Sequence, residues 1–315
     1  MTAPISLAGA ELFHGELATQ RASLFVRLSE ASTRNGYRLT GQIRGPFSVR
    51  GETLPATHPF LDQGPGDSIL VKATVPDPVH WSVDQPALYK VSLQLHEQGK
   101  QIDTCERSFA FHGVHTSGKH FRREGRTLVL RAASCEYMAQ EEDRSAATWL
   151  ARTDGLACWV PSGKVPPEES ARFGLPLLVE LEELPSATEN QVLAQLKGLT
   201  HNPAIIAALL SPTAGAIAKQ SKWPHNLLLG TRQSVSRPLE VPNWAEFVLL
   251  DLENAFASGE GEDRAQQAIK AALEISLPVV VVQSSGTASL QHARQACDTL
   301  QRRIAPLGQF SGYVV

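Results

Sequence analysis

The chain has 315 residues, 42% hydrophobic and 19% charged, more than one core comfortably holds, so two domains are expected. A net charge of −3 with no Lys/Arg block excludes a strong nucleic-acid footprint. No apolar run is long enough to cross a membrane, and the opening MTAPISLAGAELFHGE has neither the basic start nor the apolar segment of a signal peptide, so a native N-terminus implies a cytoplasmic chain.

The first elements are short strands. ASLFVRLS, YRLTGQI, SILVKATV, YKVSLQLH and RSFAFHGV alternate polar and apolar residues, with RGPF, GPGD and EQGK as turns. Alternation implies sheets packed on one face and wet on the other, hence a β-sandwich over residues 1–116.

Near residue 118 the period changes. GKHFRREGRTLVLRA reads as a hairpin leading into a strand. Eight apolar strands are then expected at 128–134, 156–161, 175–181, 205–211, 227–231, 246–252, 277–283 and 309–315. Helical patterns fit between most of them. Ser186 and Glu189 form a capping-box pattern ahead of Val192, Leu196 and Leu199. Leu290, Ala293, Cys297, Leu300 and Ile304 form a second apolar stripe, and both stripes read as core faces.

Eight such strands alternating with helices imply a (β/α)8 barrel of the TIM type over residues 117–315. At about 200 residues the barrel is short against roughly 250 for the fold. The pattern stops on the eighth strand without a final helix. An uncovered strand there would expose apolar surface, which a partner chain or a further C-terminal segment would have to cover.

Little points to a metal or cofactor. Cys105, Cys135, Cys158 and Cys297 are far apart, and the ten histidines are dispersed without an HExxH. FASGEGED lacks the Lys and the strand–loop–helix setting of a phosphate-binding loop. No cofactor is implied.

Several phrases carry a resemblance. VPDPVHWSVDQPALYKVSLQL places Asp77, Pro78, Trp81, Pro86, Leu88 and Tyr89 in a strand–turn–strand around a buried Trp and a Pro-x-Leu-Tyr. QIDTCERSFAFHGV carries Phe109, Ala110, Phe111 and His112 in succession. FRREGRTLVLRAAS carries Gly125 and Arg131, FGLPLLVELEE contributes Gly174 through Glu180, and LKGLTHNPAIIAALLS carries Pro203, Ile205 and Ile206. In order and spacing these resemble glycoside hydrolase family 2, the family of β-galactosidases, β-glucuronidases and β-mannosidases. The resemblance runs from about residue 20 to the end and does not reach the family's N-terminal sugar-binding jelly roll. It implies an immunoglobulin-like sandwich followed by a TIM-type barrel, and a carbohydrate ligand. The family's Phe-Gly-Phe-Arg has lost its Gly and Arg here.

Retaining glycosidases need two carboxylates about 5–5.5 Å apart, one as acid/base and one as nucleophile. Carried over from the family, the Asn-Glu pair after strand four falls on Pro212 and Thr213, and the nucleophile at the end of strand seven falls on Gln283. A threonine hydroxyl is too weak an acid to protonate a glycosidic oxygen. An amide forms no ordinary glycosyl-enzyme ester. The family's first-strand Asn and following His fall near Ser134 and Glu136, and its second-strand Arg near Trp159. The resemblance therefore implies a degenerate active site.

Three readings follow. The first is a non-catalytic relative kept for carbohydrate binding or architecture, with Ser134, Glu136, Trp159 and Glu182 as ligand-binding candidates. Trp223 and Trp244 are further aromatic candidates in the barrel loops, against the commoner use of large rings as packing. The second is an active glycosidase with relocated carboxylates among the strand-end acids, Glu180, Asp251 and Glu253 foremost. Its alternative is that these acids face water or pair with Arg131 or Arg232. The third is a protein-interaction module of a larger chain.

Overall fold

The computed structural model describes residues 6–29, 36–134, 153, 155–160, 169–181, 188–221, 223–252, 259–283 and 290–315. The chain divides into two compact units. Unit 1 is Met1–His112 with Gln195–Pro203 and Trp223–Asn226. Unit 2 is Gly113–Ala194 with Ala204–Lys222 and Leu227–Val315.

Unit 1 holds eight antiparallel strands: β1 (Glu11–Leu17), β2 (Arg21–Leu28), β3 (Tyr37–Phe47), β4 (Ala56–Pro59), β5 (Leu61–Asp62), β6 (Ile69–Pro76), β7 (Leu88–Glu97) and β8 (Lys100–Phe109). They form two four-stranded sheets, β1-β2-β6-β5 and β4-β3-β7-β8. Alternation sets the buried faces. In β6, Ile69, Val71, Ala73 and Val75 are buried, and in β7, Tyr89, Val91, Leu93 and Leu95 are. The β7–β8 loop is Gln98-Gly99, both with positive φ, as a type I′ hairpin turn requires. The Pro-x-Leu-Tyr motif has a structural use: the buried Tyr89 hydroxyl accepts a hydrogen bond from the Val79 N–H at 2.9 Å.

The sequence reading missed β1 and the two short edge strands, β4 and β5. It also ran one strand through RSFAFHGV, whereas β8 ends at Phe109 and the next strand opens at Val114.

Unit 2 opens with a three-stranded sheet, β9 (Val114–Ser117), β10 (His120–Arg123) and β11 (Arg126–Leu128). Glu124 and Gly125, both at positive φ, make its β10–β11 turn, as the sequence suggested. Eight parallel strands then close a barrel: β12 (Leu130–Ser134), β13 (Ala157–Val160), β14 (Leu177–Glu180), β15 (Ile205–Leu209), β16 (Leu228–Ser234), β17 (Phe247–Asp251), β18 (Val279–Val282) and β19 (Gly312–Val314). β19 pairs with β12, which closes the ring. All eight coincide with the strands expected from their apolar runs, within a few residues at each end.

The described helices are α1 (Glu169–Phe173), α2 (Glu189–Leu199), α3 (Pro212–Gln220), α4 (Gly259–Glu274) and α5 (Leu290–Ile304). Both predicted stripes face the core: Val192, Leu196 and Leu199 on α2, and Ala293, Cys297, Leu300 and Ile304 on α5, are buried. The cap of α2 lies two residues later than expected. Thr188 Oγ1 accepts from the Gln191 N–H at 3.4 Å, and Gln191 Oε1 accepts from the Thr188 N–H at 2.8 Å, a reciprocal capping box. Ser186 lies outside the described residues. The eighth strand does not show the apolar flank expected of it. Tyr313, Val314 and Val315 are buried, and α5 packs on β12 and β19.

Candidate functional site at the carboxyl ends of the barrel strands

Strand burial places the chemistry. In β14 and β17 every residue before the last is buried and apolar, so the first polar groups arrive together at the strand ends as Glu180 and Asp251. Strand β16 runs further, to Ser234, and pairs with β17 out to Asp251. Its overhang delivers Arg232 between the two acids.

Arg232 NH1 donates to both oxygens of Glu180 at 3.1 Å, and Nε donates to Asp251 Oδ2 at 3.1 Å. Arg232 NH2 also donates to Asp251 Oδ2. The guanidinium lies over the Trp159 ring, 5.4 Å from its centre. Burial alone would lower the Arg232 pKa. The hydrogen bond to Asp251 and the charges of Glu180 and Asp251 outweigh that, and hold the guanidinium above its ordinary value. Asp251 and Glu180 are mostly shielded, with side chains 11% and 19% exposed, against 37% for Arg232.

This triad forms one wall of a cavity of about 1160 Å³, above the roughly 300–1,000 Å³ usual for small-molecule sites. Ser211 and Pro212, Gln233 and Ser234, and Arg237 and Glu240 from the segment after β16 also line it. Ser211 caps α3, its hydroxyl accepting from the Ala214 N–H at 3.2 Å.

The positions singled out from sequence separate into groups. Glu180 and Asp251 meet in the cavity through Arg232, the pairing considered for them. Pro212 lines the cavity. Thr213 is exposed in the first turn of α3, and Gln283 is half-buried just beyond β18, its N–H donating to the Val314 carbonyl. Neither is among the residues lining the cavity. Ser134 is half-buried at the end of β12, its N–H donating to the Val315 carbonyl. Trp159 is buried beneath Arg232 rather than on the cavity wall. Glu136, Glu182 and Glu253 lie outside the described residues.

Two other tryptophans pack. Trp223 is buried and stacked on His225, ring centres 4.6 Å apart. Trp244 presses on Gly215 so closely that a Cβ there would come within 2.1 Å of the indole. Arg131, the other arginine considered for the acids, instead binds Asp298 and Gln301.

Sequence reasoning did not single out Gln233, Arg237 or Glu240. The available signal was RQSVSRPLEVP, a polar tail following LLLGT and punctuated by two prolines. Among the described residues, no group of three or more His, Cys, Asp or Glu is placed to hold a metal ion, and no helix is long and apolar enough to cross a membrane.

Residues 13–112 match the model of glycosyl hydrolases family 2, so the chain carries a domain of that family. The structure aligns with a β-glucuronidase of Bacteroides uniformis at TM-score 0.64 and 13% identity, covering 97% of this chain and 45% of that one. It aligns with a β-glucuronidase of Ruminococcus gnavus at TM-score 0.63 and 10% identity, covering 97% of this chain and 60% of that one. At such identities the likeness is one of fold, and the chain spans less than two thirds of either relative. No curated protein matches by sequence.

Proposed function

We propose that this glycosyl hydrolases family 2-like chain binds carbohydrate at the mouth of its barrel without cleaving it. One observation carries the reading: among the described residues, two of the three carboxylates that line the cavity, Glu180 and Asp251, are clamped by one arginine, the third being Glu240. Carried over from the family resemblance, the acid/base and nucleophile positions fall on Thr213 and Gln283. The two acids that do converge, Glu180 and Asp251, are both held by Arg232. An acid/base must exchange a proton with the glycosidic oxygen, and a nucleophile must reach the anomeric carbon. Carboxylates clamped by a guanidinium are poorly placed for either. The cavity's serines, glutamine and mixed charges suit a hydroxyl-rich ligand.

Calorimetric titration with β-galactosides, β-glucuronides and β-mannosides tests binding, and an aryl-glycoside assay tests cleavage. Binding without release of the phenol is the expected result. Turnover that withstands repurification would overturn it.

A second reading keeps hydrolysis with relocated carboxylates. It is favoured by the arrival of Glu180 and Asp251 at one guanidinium in one cavity. On that reading Glu180→Gln and Asp251→Asn each abolish turnover of an aryl glycoside.

A further inference from the structure

Arg123 and Arg126 oppose one another across a two-residue turn. Glu124 and Gly125, at φ 51° and 77°, form that turn, and the β10–β11 register pairs Arg123 directly with Arg126. Directly opposed residues share one face of a sheet with Cβ atoms about 5 Å apart, and like charges so placed repel. Among the described residues neither arginine has an ion pair, and Glu124 is the one acid between residues 114 and 128. The hairpin's other cations are engaged. Arg122, on the opposite face, donates NH1 to the Gly125 carbonyl at 3.2 Å, and Lys119 donates to the Leu273 carbonyl in the last turn of α4. Phe121 and Leu128 continue the face of the arginine pair, and Phe121 is buried edge-on against Phe247, the first residue of β17. The face is thus anchored at the amino end of a barrel strand, whereas the cavity lies at the carboxyl ends. Its outer end carries the two arginines, Arg126 exposed and Arg123 half-buried.

Local pairing rules are characteristically broken at functional sites, and an anion between two guanidiniums turns their repulsion into attraction. The planar fork of arginine matches a carboxylate. We propose that the β10–β11 hairpin binds a uronate-bearing polysaccharide, with a sugar carboxylate held between Arg123 and Arg126. Phe121, the one large aromatic ring between residues 114 and 128, is buried, so the hairpin offers no ring to a nucleic-acid base and no apolar wedge to a bilayer. Duplex DNA is held through many phosphate contacts, more than two arginines supply. The inference goes beyond the cavity reading. It rests on the hairpin's register and charge, and takes from the family match only the choice of a saccharide.

The test titrates the whole chain at low salt with polygalacturonate oligomers, neutral galactan oligomers, duplex DNA and phosphatidylglycerol vesicles. Polygalacturonate should bind and the neutral galactan should not compete with it. Arg123→Gln with Arg126→Gln should weaken that binding about tenfold or more, the loss expected of charge-assisted hydrogen bonds. A control pair with the same change in charge, Arg172→Gln with Arg302→Gln, should keep it. Without ligand, the Arg123→Gln/Arg126→Gln chain should melt no lower than the native one, because the substitutions remove a repulsion. A lower melting point would mean that the arginines are structural and would overturn the site. So would equal losses in both variant pairs, which mark unspecific attraction. Polygalacturonate binding that survives Arg123→Gln/Arg126→Gln is held elsewhere, and would overturn the hairpin site while leaving the cavity reading intact. DNA or vesicles bound with polygalacturonate silent would overturn the saccharide, and silence throughout would overturn the site.

Discussion

Arg232 donates to Asp251 through two of its nitrogens, Nε at 3.1 Å and NH2. Asp251 is the last residue of an otherwise apolar strand, and its carboxylate is nearly excluded from water. Burying a carboxylate is costly without a paired and hydrogen-bonded cation, and the same cation also serves Glu180. The triad therefore holds three barrel strands, β14, β16 and β17, at their carboxyl ends.

Arg232→Met should lower stability by about 3 kcal/mol, at the low end for breaking a buried pair because the arginine is partly exposed. Most of that cost comes from stranding two acids. Adding Glu180→Gln and Asp251→Asn to Arg232→Met should therefore recover a large part of it. Urea unfolding of the single and triple variants checks this, and a triple variant no more stable than the single one would refute the account.

In unit 1, His112 is buried and hydrogen-bonded to the Pro203 backbone, with its ring edge-on to Trp81. Burial, with a smaller contribution from the charge of His14, pushes its pKa down to about 4. His14 is itself lowered, mainly by burial and further by His80. An unfolded histidine takes its proton near 6.5. Between those values the unfolded state binds more protons than the folded one, so stability falls as the pH falls from about 6.5 to 4. The full contribution is present above pH 6.5 and amounts to about 3 kcal/mol for His112. Urea midpoints across that range should decline steadily, and His112→Gln should flatten the slope.

The α2 cap is a smaller, local matter. Thr188→Ala removes the acceptor for the Gln191 N–H and should cost about 1 kcal/mol. Ser186→Ala, at the cap position expected from the sequence, should cost less. Thermal melts of the pair separate the two caps.

That displacement illustrates what the sequence could carry. SATENQ offers two overlapping boxes, Ser186 with Glu189 and Thr188 with Gln191, and pattern alone does not choose between them. The barrel strands were legible because each is a nearly unbroken apolar run bounded by turns or helical patterns. β1 was not, since Glu11 is buried and His14 and Gly15 interrupt the alternation of ELFHGEL. β4 and β5 are short, largely exposed edges with little pattern to read. At the site, Glu180 and Asp251 were visible as polar residues closing apolar strands. The clamp on them was not, because it depends on how far β16 extends beyond its neighbours. Trp159 looked like a sugar platform in one dimension and is a support for Arg232 in three.

Cys297 tests the core of unit 2 directly. Its thiol is buried on α5, within 3.6 Å of the Ala132 and Tyr313 carbonyls on the paired strands β12 and β19. Burial pushes its pKa up to about 12, and the nearby Arg131 and Arg294 only partly oppose that. The thiolate is the reactive form, so at pH 8 Cys297 should resist iodoacetamide in the native protein, while the half-buried Cys105 is alkylated. In denaturant both should react. Peptide mass spectrometry after a timed pulse reads the two sites separately. Native labelling of Cys297 at the rate of Cys105 would mean that α5 lifts from β12 and β19 on the time scale of the pulse.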